Sequence, residues 1–160
     1  MTRFLSTLVD GYQHLLERNR NLPFLKATMA ACALVATADG SVTFSQRVRV
    51  DQILETLDAL RVFDPHEGVQ LFVRYSDAIL NIPRQGHADA VKLLESVKDD
   101  AEKAELLVRI CLATAEANGK TTLIDQIEIV TLCSLLGLDA TQFGLYKDEL
   151  LDSLKRGTDS

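Results

Sequence analysis

From Leu25 to Ala38 the chain reads Leu-Lys-Ala-Thr-Met-Ala-Ala-Cys-Ala-Leu-Val-Ala-Thr-Ala, a helical run with no convincing polar face. A helix that is apolar on every side must be buried on every side, so this segment is expected at the centre of the molecule. Asp39-Gly40 ends it, because Gly40 is free to take the left-handed conformation that a helix C-terminus favours. Thr43, followed three residues later by Gln46, then reads as a capping box for the next helix. The arrangement recurs 79 positions on, where Ala115-Glu116-Ala117-Asn118-Gly119-Lys120-Thr121-Thr122 stands between two further apolar segments.

The rest of the chain is legible in the same terms. Phe4, Leu5, Leu8, Tyr12, Leu15 and Leu16 recur at three- and four-residue spacing and predict an amphipathic first helix. Asn19-Arg20-Asn21-Leu22-Pro23 is expected to end it, with Pro23 opening the central helix. After the first turn, Val50, Ile53, Leu54, Leu57 and Leu60 form the buried stripe of a third helix. Asp64-Pro65-His66-Glu67 is a start signal for a fourth, carried by Val69, Leu71, Phe72, Tyr75, Ile79 and Leu80. Pro83 opens a shorter fifth, and Asp100 caps a sixth from Ala101 to Ala117. Thr122 with Asp125 caps a seventh that ends at Gly137, and Asp139 with Gln142 caps a last helix through Phe143, Tyr146, Leu150 and Leu154. No stretch alternates with the period of a strand, so the expected fold is an all-α single-domain bundle of about eight helices. Residues 1–22 form the N-terminal helix, 23–155 the helical domain and 156–160 a tail.

At 160 residues with 47% hydrophobic content, the chain can bury one core and is short for two domains. Its net charge of -6, without a run of lysines and arginines, speaks against a nucleic-acid binder and favours cationic, metallic or protein partners. No segment approaches the roughly 18 consecutive apolar residues of a membrane span. Cys32, Cys111 and Cys133 are odd in number and lie in apolar helical patterns, as buried free thiols in a reducing compartment would. A cytoplasmic protein is the default expectation.

An ungapped offset of 79 places Cys32 on Cys111, Ala36 on Ala115, Gly40 on Gly119, Thr43 on Thr122 and Leu57 on Leu136. The matching glycines and capping threonines fix backbone geometry, which apolar spacing alone does not. Two similar helical hairpins, at about 25–60 and 104–139, are therefore expected, related by an approximate twofold axis.

Chemistry is sparser. Gln46 and Asp125 are polar groups on the inward side of a helix's first turn, and their plain role is to complete capping boxes with Thr43 and Thr122. A sharper reading lets Asp39, Glu116, Asp125 and Glu128 converge near the two turns and hold a divalent cation through oxygen, with calcium, magnesium, manganese and zinc not distinguished. Clustered carboxylates repel one another and are usually tolerated where something positive sits among them. The turn lacks the alternating acidic pattern of an EF-hand. Zinc is the weaker choice, since the cysteines have no close-pair spacing and His14, His66 and His87 stand alone. Spacing leaves a Cys–His nucleophilic pair open, yet thiols on apolar stripes are inert. There is no glycine-rich phosphate loop and no Gly-x-Ser-x-Gly elbow, so nothing positive supports an enzyme.

At the turn residues the chain resembles the TerB-like family of tellurite-resistance and stress-response proteins. That family's habit is an Ala-rich apolar helix, then Ala-Asp-Gly, a small apolar residue, and an acidic residue seven after the Asp. Ala38-Asp39-Gly40-Ser41-Val42 fits, but the seventh position is Gln46; the second copy has Asn118 for the Asp and keeps an acidic seventh position as Asp125. The resemblance spans roughly Leu25 to Leu150. It implies an all-helical domain with internal pseudo-symmetry, a carboxylate-rich face and no known catalytic activity. It also implies a role in tellurite or metal stress with a membrane-bound partner at the cytoplasmic face. The functional expectation is a non-enzymatic protein that binds metal ions, a protein partner, or both. Asp39, Glu116, Asp125 and Glu128 would carry it, with Gln46 and Asn118 as neutral counterparts. The rival expectation is a ligand-free helical scaffold that docks another protein or a second copy of itself.

Overall fold

A computed structural model describes residues 2–119 and 121–145. Six α-helices account for most of them: α1 (Thr2–Ala36), α2 (Phe44–Thr56), α3 (Pro65–Asn81), α4 (Pro83–Leu94), α5 (Ala101–Ala115) and α6 (Leu123–Leu136). No strand occurs among the described residues, and no helix there is long and apolar enough to cross a membrane.

The C-terminal part of α1 is the axis of the fold. From Phe24 to Ala36 every apolar residue is buried, and α3, α4 and α5 all pack against it, as expected of a helix with no polar face. Phe72 from α3, Leu94 from the end of α4, Leu107 from α5 and Leu60 fill the space around it. Fully burying one such side chain contributes roughly 1.5–3 kcal/mol. α2 packs on α3 and α5, and α6 closes the core against α5 and α1.

Two glycines set the spacing of the packed layers. A Cβ on Gly68 would meet the Leu54 side chain at 2.5 Å, and one on Gly86 would meet the Ala78 backbone at 2.6 Å. The second contact is with main chain, which cannot turn aside, so α4 lies as close to α3 as glycine permits.

The expected break between residues 19 and 23 is absent. α1 is one helix of 35 residues with Pro23 inside it. Proline removes the bond from its own nitrogen to the Asn19 carbonyl and leaves the other rungs in place. The segment Asn19-Arg20-Asn21-Leu22 carries no glycine to complete a stop, so the helix runs through. The first two expected helices are therefore one.

Other ends were shorter than expected. α2 stops at Thr56, where Leu57 turns extended, and a 3-10 turn over Asp58–Leu60 follows. α5 gives way at Glu116–Asn118 to a single 3-10 turn. After Asp139 only a 3-10 turn, Ala140–Phe143, forms before Gly144 takes a left-handed φ of 75°. The remainder of the last expected helix, with Tyr146, Leu150 and Leu154, lies outside the described residues, as does the 156–160 tail.

Candidate functional site

The two turns singled out by sequence are built alike. The Thr37 hydroxyl donates to the Ala33 carbonyl at 2.6 Å, closing α1, and Gly40 leaves it with φ 95°. At the end of α5, the Gly119 N–H donates to the Glu116 carbonyl at 2.9 Å, with φ 92° at the glycine. A residue with a Cβ would be strained at both positions.

Each turn is followed by a capped helix. The Thr43 hydroxyl accepts from the Gln46 N–H at 3.1 Å while the Gln46 side-chain oxygen accepts from the Thr43 N–H at 2.9 Å, a complete capping box. The Thr122 hydroxyl accepts from the Asp125 N–H at 3.1 Å. The capping box read for Gln46 is therefore complete, whereas at the second turn the cap is the Thr122 hydroxyl on the Asp125 N–H; Gln46 and Asp125 are both buried, at 2% and 4% exposure.

That burial separates the two positions chemically. Gln46 is neutral and tolerates it. The Asp125 carboxyl is pushed above the usual carboxylate range by desolvation, and the charge of Asp39 pushes it the same way. Hydrogen bonding from Thr122 pulls in the opposite direction without cancelling the rise. Asp39 itself is exposed, its Oδ1 accepting from the Ser41 N–H at 3.2 Å. The first turn and the start of α6 thus place the buried Asp125 carboxyl within reach of the charge on the exposed Asp39.

The other two expected acids stand apart from this pair. Glu128 lies one turn further along α6, its carboxyl raised by burial and partly offset by His87, whose Nε2 is 3.8 Å from Glu128 Oε1. Glu116 is exposed on the 3-10 turn after α5. The side chain of Asn118 lies outside the described residues. Among the described residues no three of His, Cys, Asp and Glu are grouped so that they could hold a metal ion, so the four carboxylates do not form one cage. A cation at Asp39 and Asp125 would take two protein carboxylates and complete its shell with backbone oxygens or water, as hard cations commonly do.

The second turn has a cationic neighbour instead. α2 packs against residues 116–118, and Arg49 Nη1 donates to the Ala113 carbonyl at 2.9 Å, where the C-terminal end of α5 favours positive charge. Neither His87 nor Arg49 was legible as a site residue, because each meets its partner only through the tertiary fold.

None of the three thiols reaches solvent, and the Cys32 thiol is pulled down by its hydrogen bond with Cys111 against the effect of burial. All three cysteines are buried and unpaired. Burial pushes Cys133 up to about 11, and Cys111 is driven well up by the neighbouring Cys32 thiol together with burial. An open groove of about 580 Å³ lies elsewhere, between α1, α3 and the end of α4, lined in part by Leu22, Pro23, Lys26, Tyr75 and Lys92. None of Asp39, Glu116, Asp125 or Glu128 lines it.

The family model of "Tellurite resistance protein TerB" matches residues 25–148, from the central part of α1 past the end of α6. A curated relative, the tellurium resistance protein TerB of an Alcaligenes species, is 30% identical over 96 residues, covering 58% of this chain and 76% of the relative. No solved structure matches. On the extent of that family match, the chain belongs to the TerB family of tellurite resistance proteins.

Proposed function

We propose that this chain takes part in tellurite resistance as a non-enzymatic protein that binds a divalent cation, a protein partner, or both, at the acidic face formed by Asp39 and Asp125. The observation that carries the reading is the Asp125 carboxyl, 4% exposed and held in the field of a second carboxylate. A buried carboxylate facing like charge is stabilised by whatever positive group comes to it, whether an ion or a partner's side chain. Glu128, one turn along α6 and linked to His87 of α4, and Glu116, exposed after α5, stand outside this pair. The family is generally regarded as non-enzymatic, and the burial of all three thiols fits that view. A cytoplasmic chain working against a membrane-bound partner fits the acidic balance of the sequence.

The ligand-free scaffold remains as a second reading, favoured by one observation. Among the described residues the acids supply a pair and no third grouped ligand, which suits a surface that recognises a protein as well as one that holds an ion.

Growth of a tellurite-sensitive bacterium on tellurite tests the proposal. Cells expressing the wild-type chain should outgrow cells expressing Asp39→Asn/Asp125→Asn at equal soluble protein. Equal resistance from the two, or none from the wild type, would contradict it.

A further inference from the structure

The N-terminal half of α1 has no packing partner among the described residues. Every residue from 3 to 17 is exposed, over a length of roughly 22 Å at helical rise. That half is nevertheless amphipathic. Phe4, Leu5, Leu8, Val9, Tyr12, Leu15 and Leu16 stand on one side at 45–69% exposure. Arg3, Thr7, Asp10, His14 and Glu17 fall on the other side by helical spacing. The family match begins at residue 25, so this stripe lies outside the matched region.

We infer that the stripe is a self-association surface, on which two copies of this chain pair through antiparallel α1 helices. Three observations select a second copy as the occupant. The first is the symmetry of the sequence. Counting outward from Asp10, apolar residues stand at equal distances on both sides: Leu8 with Tyr12, Leu5 with Leu15, Phe4 with Leu16. Leu5, Leu8, Tyr12 and Leu15 follow the three-four spacing of a paired-helix seam. A twofold axis near Asp10 therefore sets Leu5 of one copy level with Leu15 of the other and Leu8 level with Tyr12. An isologous contact requires that self-complementarity.

The second observation is area. Seven large side chains, each about half exposed, offer on the order of 700 Å² of apolar surface. That is close to the ~800 Å² each partner gives to a standard stable interface, and beyond what a soluble monomer usually leaves bare.

The third is charge. A helix that lies on an anionic membrane carries lysines and arginines on its polar face. Here that face sets Arg3 against Asp10 and Glu17, on a chain of net charge -6, which a lipid surface would repel. The same net charge favours the antiparallel arrangement over the parallel one, because it holds the two acidic bodies at opposite ends of the seam.

Sedimentation equilibrium of the full chain over a range of concentrations is the test. The expected result is a reversible species of twice the 17.7 kDa chain mass, converted to monomer by Leu8→Glu/Leu15→Glu with helix content by circular dichroism unchanged. Register is read by cross-linking, since the three native cysteines are buried. Chains carrying Leu5→Cys should oxidise onto chains carrying Leu15→Cys and not onto themselves. A monomer at every concentration would overturn the inference, whether the stripe is then found on phosphatidylglycerol vesicles or against this chain's own 146–160 segment. A dimer that survives Leu8→Glu/Leu15→Glu, or Leu5→Cys chains that cross-link to one another, would overturn it too.

Discussion

Asp125 concentrates the tension in this molecule, because its carboxyl is buried in the first turn of α6 and feels the charge of a second carboxylate, Asp39. Its folded pKa lies above the unfolded value, so the sign of its linkage is fixed. The favourable contribution is fully present below the ordinary carboxylate range, near pH 4, and is lost as pH rises through the raised folded value. At neutral pH the charged form is a net burden on the fold. Asp125→Asn keeps the shape and removes the charge, so the variant should be more stable than wild type at pH 7. The difference should shrink towards pH 4 in urea titrations run across that interval. Two hydroxyls make a related case. Thr28 Oγ1 and Ser76 Oγ are buried with no hydrogen-bond partner among the described residues. Thr28→Val replaces an unsatisfied hydroxyl with a methyl of the same shape and should add about 1 kcal/mol, read as a higher urea midpoint at unchanged slope.

Among the elements, α1 shows where local signals prevail and where they fail. The capping signals at Thr43, Asp64, Asp100 and Thr122 were all legible, and in each case a side-chain oxygen accepts a backbone N–H in the first turn. Those are contacts over two or three residues, which a sequence states directly. Pro23 misled because proline fits the start of a helix and, less often, its interior. The choice was made by the helical segments on both sides of it and by the missing glycine. Pro23 is exposed, so Pro23→Ala should restore the missing bond without disturbing a contact. Set against the greater freedom of the unfolded chain, the expected gain is about 1–2 kcal/mol. Gly86→Ala should act in the opposite direction, because its Cβ would press on the Ala78 backbone where α4 crosses the end of α3. A loss of about 1–3 kcal/mol is expected in chemical unfolding, with circular dichroism showing the helices retained.

At the scale of the whole molecule, the all-helical class and the central place of the 25–38 segment were legible because apolar periodicity reports burial directly. The candidate site was legible only in part. Asp39 and Asp125 were singled out as members of a repeated turn, yet their mutual field exists only because α6 folds back onto the end of α1. No local pattern announces His87 beside Glu128 or Arg49 at the end of α5. Those pairings also explain why four acids read from sequence resolve into a pair, a His-linked acid and a solvated one. Cation uptake by the Asp39–Asp125 pair is the most specific claim made for the site, and linkage makes it measurable. A ligand at 100 times its dissociation constant adds roughly 2.7 kcal/mol. For a chain of this size that is about 5–10 °C in the melting midpoint. Thermal melts of metal-stripped protein against calcium, magnesium, manganese and zinc should show a shift of that size for at least one ion, absent in Asp39→Asn and Asp125→Asn. A flat response to all four ions, or an equal shift in the two variants, would contradict cation binding at this pair and leave a protein partner as the occupant of the acidic face.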